Sequence, residues 1–315
     1  MAGKREIQVK IMKFGAVIVT YNRIDQLKKS IKCYTEQTLK PDRIIVVDNC
    51  SSDGTDKFLL KWQSIDEDLI KEVIRLPLNE GGSGGFYAGL ESMQKHDDID
   101  WIWVADDDAY PANDSFEKAR DFITDHLSEI DDISSVCGVC GTNGVWSYTQ
   151  RHILKKSIFG EQDFPIPKRR FNEDFFDIDF YSFVGTFLKR NNLIDAGLPR
   201  KDFFIYQDDL EHSVRMRKTG RIICCTGIKI EHSDNILPTN ETSWRDYYAN
   251  RNLVVMYKDH FSKWSLFWRM SRRFVVVLLS HSLSKVRIFK TAVKDGLNGR
   301  MGVHEIYKPG WKVNE

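Results

Sequence analysis

Asp106, Asp107 and Asp108 abruptly end the apolar run Trp101–Ala105 within the stretch WIWVADDDAY, Trp101–Tyr110. A short apolar run bounded by polar residues reads as a buried strand. Three carboxylates crowded at the carboxyl end of such a strand repel one another. A divalent cation would relieve that repulsion, because hard cations such as Mg2+ and Mn2+ favour carboxylate oxygens. On extended chain Asp106 and Asp108 face the same side, so they form the expected ligand pair. The competing reading is a solvated acidic turn capping a helix that starts near Pro111. A second acidic group, Asp208, Asp209 and Glu211, opens a helical pattern continued by Leu210, Val214 and Arg217. Helix capping and dipole compensation, worth about 1 kcal/mol, would account for one acid but not for three. His232, at the end of a short strand candidate, reads on its own as an ordinary loop histidine.

The elements that must position these groups alternate. Phe14–Tyr21 (FGAVIVTY) is a near-continuous apolar run, as in a strand buried on both faces of a parallel sheet. Ile24–Gln37 follows with Leu27, Ile31 and Tyr34 at helical spacing. Arg43–Val47 is a second strand closing on Asp48, Asp56–Ser64 a helix, Glu72–Leu78 a third strand and Phe86–Lys95 a helix, before the Trp101 strand comes fourth. Such alternation implies an α/β sheet with helices on both faces, whose ligands bind beyond the carboxyl ends of the strands. Thr20, Tyr21, Asp48, the glycine run and Asp106–Asp108 all fall at those ends. Further on, Asp179–Lys189 reads as an aromatic-rich strand, a helix starts at Asn191, and Ile222–Cys225 and Ile228–Ile230 read as short strands.

The glycine run Asn79–Gly85 does not spell a phosphate fingerprint. Gly82, Gly84 and Gly85 lack the third glycine of G-x-G-x-x-G, where Tyr87 stands, and no G-K-[ST] follows. It reads as a turn at a helix N-terminus that could bring backbone N–H groups to an anion or sugar. A loop that simply needs positive φ fits equally well. Cys137 and Cys140 have redox or zinc spacing without a second such pair, so buried free thiols are the better reading.

Composition bounds the remainder. The chain has 315 residues, 42% of them apolar, 29% charged, and a net charge of +1, which suits one large soluble domain or one domain with an appendage and argues against nucleic acid as the main partner. Met1–Lys13 has no apolar segment behind its charges, so no secretory leader is expected. The longest apolar run, Phe274–Leu279, is too short to cross a bilayer. The expected location is therefore cytoplasmic, at most peripheral on a membrane. From Lys263 to Lys312 basic residues far outnumber Asp295 and Glu305, and Trp264, Leu266, Phe267, Trp268 and Met270 interleave with Arg269, Arg272 and Arg273. That pattern suits either an interfacial helix on an anionic membrane or a helix packed on the preceding domain.

The motif set, taken together, resembles the family-2 inverting glycosyltransferases of the GT-A fold. It consists of Val17–Asn22 (VIVTYN), Val46–Asp48 with Ser51–Thr55, the triple Asp106–Asp108, and Asp208–Arg215 (DDLEHSVR) followed by His232. Within that family, Asn79–Leu90 and Trp244–Asn252 (WRDYYANRN) are similar to the galactofuranosyltransferases, which use UDP-galactofuranose to build cell-surface polysaccharide. Related rhamnosyltransferases, which use a dTDP-sugar, share much of the pattern, including Lys294–Arg300. The resemblance implies a Rossmann-like nucleotide-binding domain over residues 1–260 and a basic helical extension over 261–315. It places Thr20, Tyr21 and Asp48 on the nucleoside, with Gly82, Gly84, Gly85 and Asp107 also on the donor side. Asp106, Asp108 and His232 would hold Mn2+ or Mg2+ on the donor diphosphate. Asp209 would be the catalytic base, with Asp208 positioning the acceptor, and Phe183 and Trp244–Arg251 would wall the acceptor site. The chain departs from the common motif in having Asp rather than Glu at 208 and Gln207 rather than an aromatic before it. The implied partners are a UDP-sugar, a glycan or lipid-linked saccharide acceptor, and an anionic membrane at the inner face of the cell membrane. Addition of one or a few sugars is expected.

Two other classes compete. A sugar nucleotidyltransferase should carry a glycine- and arginine-rich loop straight after the first strand, where this chain has Thr20–Arg23. A non-catalytic binding module would have no reason for both acidic groups.

Overall fold

The computed structural model describes residues 12–65, 69–126, 132–232 and 242–313. The expected βα alternation is present: β1 (Phe14–Thr20), α1 (Ile24–Thr35), β2 (Arg43–Asp48), α2 (Thr55–Gln63), β3 (Ile70–Arg75), α3 (Gly81–Met93) and β4 (Trp101–Asp106). After the short β5 (Ala109–Pro111) and α4 (Ser115–Asp125) come β6 (Ile133–Thr142), β7 (Val145–Trp146), β8 (Arg151–Ser157) and β9 (Gly160–Pro165). Then follow β10 (Phe175–Ile178), β11 (Phe180–Tyr181), β12 (Thr186–Lys189), α5 (Arg190–Ala196), α6 (Asp208–Met216) and β13 (Arg221–His232). Three helices, α7 (Arg245–His260), α8 (Lys263–Leu279) and α9 (Leu283–Asn298), end the described chain.

The main sheet runs β10-β13-β6-β12-β4-β1-β2-β3, with β5 on β13 and β7 on β6; β11, β8 and β9 form a small second sheet. Strands β3, β2, β1 and β4 are mutually parallel, and β12 inserts antiparallel between β4 and β6. The apolar runs explain the burial. Every residue of β1 is buried, with Ala16 and Ile18 in one core layer and Val17 and Val19 in the other. Leu27, Ile31 and Tyr34 form the inward stripe of α1, and the Tyr34 hydroxyl accepts a 2.7 Å bond from the Trp103 indole.

Several expected boundaries move, for tertiary reasons. The glycine run is not a turn: Gly82, Gly84 and Gly85 lie within α3. A Cβ on Gly85 or Gly89 would collide with Val19 or Val17, so these glycines let the helix lie flat on the sheet. Asp179–Lys189 is two strands, because Gly185 takes φ +76 and turns the chain between them. Ile222–Cys225 and Ile228–Ile230 are one strand, β13, with a bulge between Cys224 and Lys229 against β6. The third strand ends at Arg75 rather than Leu78. Cys137, Cys140, Cys224 and Cys225 are buried free thiols.

The segment beyond residue 260 packs closely on what precedes it. Ile288 and Ala292 of α9 share a cluster with Phe204, Tyr247, Tyr248 and Tyr307. Met270 of α8 and Phe289 join Leu253, Val254, Met256 and Tyr257 of α7.

Candidate active site

Register puts the chemistry at one edge. Thr20 is level with Asp48 across β1 and β2, and Val19 is level with Asp106 across β1 and β4. Parallel strands of similar length therefore bring their polar ends to a common line. Asp48 is fully buried. Its Oδ1 accepts the Ser51 amide at 2.9 Å, while Oδ2 is buried without a hydrogen bond and lies 3.6 Å from the Arg75 Nε. The Tyr21 side chain is exposed beside it.

In the triple acid, Asp107 turns inward. Its Oδ2 accepts the Thr20 hydroxyl at 2.6 Å, and burial, opposed by Thr20 and Arg23, raises its pKa to about 6. Asp106 is pushed up to about 7 by burial and by the charges of Asp108 and Asp107. For Asp108 burial acts upward too, but the His232 and Arg23 contacts hold its carboxyl below the usual range. His232 Nε2 lies 3.5 Å from Asp108 Oδ1, carried there by the pairing of β13 with β5. Arg23 Nη1 donates to Asp108 Oδ2 at 2.7 Å and to Asp107 Oδ1 at 3.2 Å.

The expected metal ligands are thus drawn to one edge, but not as a finished ligand set. Among the described residues no three His, Cys, Asp or Glu side chains already stand together as metal ligands. Arg23 holds a position that a cation would contest. The residues nonetheless fit a hard divalent ion: two carboxylates and an imidazole supply O and N donors. Asp106 also carries a raised proton affinity that a cation would remove. Arg23 is the contact at this edge that the sequence did not single out. The available signal was its position: it is the N-cap of α1, where the helix dipole disfavours a basic residue.

The second acidic group lies within electrostatic reach of the first. Gln207 precedes α6, so Asp208 and Asp209 occupy its first turn. Asp208 is buried, and burial together with Asp209 pushes its pKa well above the usual range; the Asp106 charge adds to that rise. Two carboxylates from distant parts of the chain are therefore within electrostatic reach of each other. Asp209 is half-buried. Burial raises it to about 6 against the Leu210 and Phe183 backbone, and its Oδ1 accepts the Leu210 amide at 2.7 Å. Among the described residues no Lys or Arg pairs with either acid. Glu211 turns away, to Arg215 and His260.

The other expected residues lie as follows. Of the three glycines only Gly82 has open space around it. The amides of Glu80, Gly81 and Ser83 are already taken by Asn49, Asn79 and the Phe204 carbonyl. Phe183 is buried against Phe86 and His212 rather than lining an open wall. Tyr247, Tyr248 and Arg251 are likewise buried, because α7 is sandwiched between the acidic loop and α9.

With fold and site in hand, the chain belongs to a known class: the profile of Glycosyl transferase family 2 matches residues 16–196, and this protein is a member of that family. Galactofuranosyltransferase GlfT1 of Mycobacterium tuberculosis is 26% identical over 216 residues, covering 65% of this chain and 64% of that protein. The protein of the same name from Mycolicibacterium smegmatis is 37% identical over 98 residues, 31% of this chain and 30% of its own length. This chain thus spans less than two thirds of the curated relatives it matches. The solved structure of GalNAc-T7 with UDP, GalNAc and Mn2+ superposes with a TM-score of 0.63 at 13% identity, over 92% of this chain and 56% of that one. The last likeness shows the fold, which is that of the GT-A glycosyltransferases.

Proposed function

We propose that the protein is an inverting galactofuranosyltransferase that moves galactofuranose from UDP-galactofuranose to a hydroxyl of a saccharide or lipid-linked glycan acceptor. One observation carries the reading: two acidic groups from distant parts of the chain lie within electrostatic reach, one held by Arg23 and His232 and the other paired with no Lys or Arg among the described residues. The likeness to the galactofuranosyltransferases of M. tuberculosis and M. smegmatis supports this choice of donor sugar.

In this reading Thr20, Tyr21 and Asp48 bind the nucleoside. Asp48 Oδ2, buried and accepting no hydrogen bond although Arg75 Nε lies 3.6 Å away, can take a nucleobase N–H, and the exposed Tyr21 ring offers a stacking face. Asp107 locks Thr20, and Gly82 leaves room beside the donor. Asp106, Asp108 and His232 would hold Mn2+ or Mg2+, which when bound stabilises the charge growing on the leaving diphosphate. The solved GalNAc-T7 complex contains UDP and Mn2+ in a protein of this fold. Asp209, half-buried with a raised pKa, takes the proton of the attacking hydroxyl, and Asp208 orients the acceptor. Attack from the face opposite the diphosphate inverts the anomeric centre.

The exposed apolar residues of α8, among them Trp264, Phe267, Val275 and Val276, together with the exposed Lys263 and Arg272, would seat the enzyme on an anionic membrane at the cytoplasmic face, near a lipid-linked acceptor, while Arg269 and Arg273 bond to Asp163 and Asn250 of the protein itself. Among the described residues no helix is long and apolar enough to cross a membrane.

Incubating the purified chain with a panel of UDP- and dTDP-sugars, with and without EDTA, tests the proposal. UDP-galactofuranose should be consumed in a metal-dependent manner and give an inverted linkage by NMR. Consumption of dTDP-rhamnose instead moves the donor assignment, and consumption of no sugar leaves a binding module.

A further inference from the structure

The acidic loop is reached through a backbone that few sequences would choose. Phe204, Tyr206 and Gln207 have φ of 68°, 65° and 67°, the left-handed region that bulky side chains avoid. None is glycine, and the run leads directly into Asp208 and Asp209. Such a conformation persists only where its surroundings over-determine it.

The surroundings here are two residues of α7. The Asn252 amide nitrogen donates to Phe203 O at 3.0 Å, Ile205 O at 2.9 Å and Tyr206 O at 2.8 Å. Arg251 Nη2 donates to Phe203 O at 3.0 Å and Asp202 O at 3.3 Å. Its Nη1 reaches Gly302 O at 2.6 Å, and its Nε reaches the Asn252 Oδ1 at 2.9 Å. That last bond turns the Asn252 amide so that its NH2 faces the loop. The Phe204 carbonyl accepts the Ser83 amide, and the Gln207 carbonyl accepts the amide of Glu211. From 203 to 207 every carbonyl is held.

Arg251 is almost wholly buried, and burial lowers its pKa. Among the described residues it pairs with no carboxylate; its charge rests on backbone oxygens and on the Tyr247 and Tyr248 rings. A buried charge without an acid partner is a poor device for stability alone.

We propose that Arg251 and Asn252 are positioning residues: they hold residues 203–207 in the strained form that sets Asp208 and Asp209 opposite Asp106, and through Gly302 they tie that setting to the segment after α9. The inference rests on reading Asp209 as the base, but its test does not depend on turnover alone. In Asn252→Ala, hydrogen exchange in a peptide spanning 203–209 should accelerate while exchange across 101–108 is unchanged. Titration with UDP and Mn2+ should match wild type. With UDP-galactofuranose and an acceptor, kcat should fall about a hundredfold, as expected for a misplaced reacting group, with donor KM unchanged. The acid limb of the pH profile should move as Asp209 loses its setting. Should Asn252→Ala not fold, Arg251→Lys, which keeps the charge but loses the fork, carries the same readouts. Unaltered exchange at 203–209 overturns the proposal, as does a lowered melting temperature with wild-type kcat and pH profile. An active Asp209→Asn would instead remove the base assignment and leave the exchange result standing.

Discussion

The two acidic groups differ in how their charge is supported. Asp106–Asp108 ends a regular parallel strand, and Arg23 and His232 already lie against it. Asp208 and Asp209 open α6 directly after a strained loop, and burial raises the pKa of both. The difference teaches that equal residue types serve opposite ends. A carboxylate group offered cationic partners is suited to an ion, and a largely desolvated pair with no Lys or Arg against it is suited to holding and releasing a proton. Each arrangement can be broken separately.

The largest effect is expected at the first group. Asp106→Asn or Asp108→Asn should lower transfer by about 10³-fold or more, since the charge stabilisation on the leaving group is lost. Metal-dependent donor binding should weaken in calorimetry with the fold intact by circular dichroism. Near wild-type turnover by either variant under EDTA would falsify the metal assignment.

At the second group Asp209→Asn should cost about 10²–10⁴-fold in turnover while leaving UDP binding unchanged. Asp208→Asn should be milder and act mainly on acceptor KM. The reverse order of severity in a turnover assay swaps the two roles.

A pH profile sharpens the same contrast. A base works deprotonated, so with Asp209 raised to about 6 the rate should climb about tenfold per pH unit below that value and level off above it. A flat profile from pH 5 to 7 would mean that Asp209 does not titrate in the rate-limiting step.

Arg23→Gln should act at the first group only. With its pair to Asp108 gone, Mn2+ added without donor should bind a few-fold tighter, about the scale of a half-exposed ion pair. Weaker Mn2+ binding by calorimetry would show that Arg23 supports the site instead of contesting it. The smallest effect concerns neither group. Co-sedimentation with anionic vesicles should decline with salt, and replacing the exposed Lys263 or Arg272 by Ala should each weaken binding by about 1 kcal/mol. Salt-insensitive sedimentation marks α8 as a purely structural helix.

The ends of the buried strands were legible from sequence because apolar runs in a parallel sheet have one physical meaning. Phe14–Thr20 and Trp101–Ala105 had to be interior, so Thr20 and Asp106 had to sit at their ends. The glycine run was not legible. Glycine has poor helix propensity, yet Gly85 and Gly89 are helical because only a residue without Cβ lets α3 approach β1 and β2 so closely. Nor could Trp244–Asn252 be placed. Its motif carries a resemblance, but which carbonyls Asn252 and Arg251 meet depends on where α9 and the loop at 203–207 fold back.

By itself, then, the sequence determined the alternation of elements, the polar edge and the residue types available for chemistry, because burial period and strand ends are local consequences of side-chain polarity. Only the tertiary structure decided which charges face each other: the proximity of Asp106 to Asp208, the Arg23 contact with Asp108, and the left-handed backbone of Phe204, Tyr206 and Gln207. These depend on contacts between residues far apart in the chain, where no local propensity points to them and where packed neighbours can impose a conformation the isolated segment would not adopt.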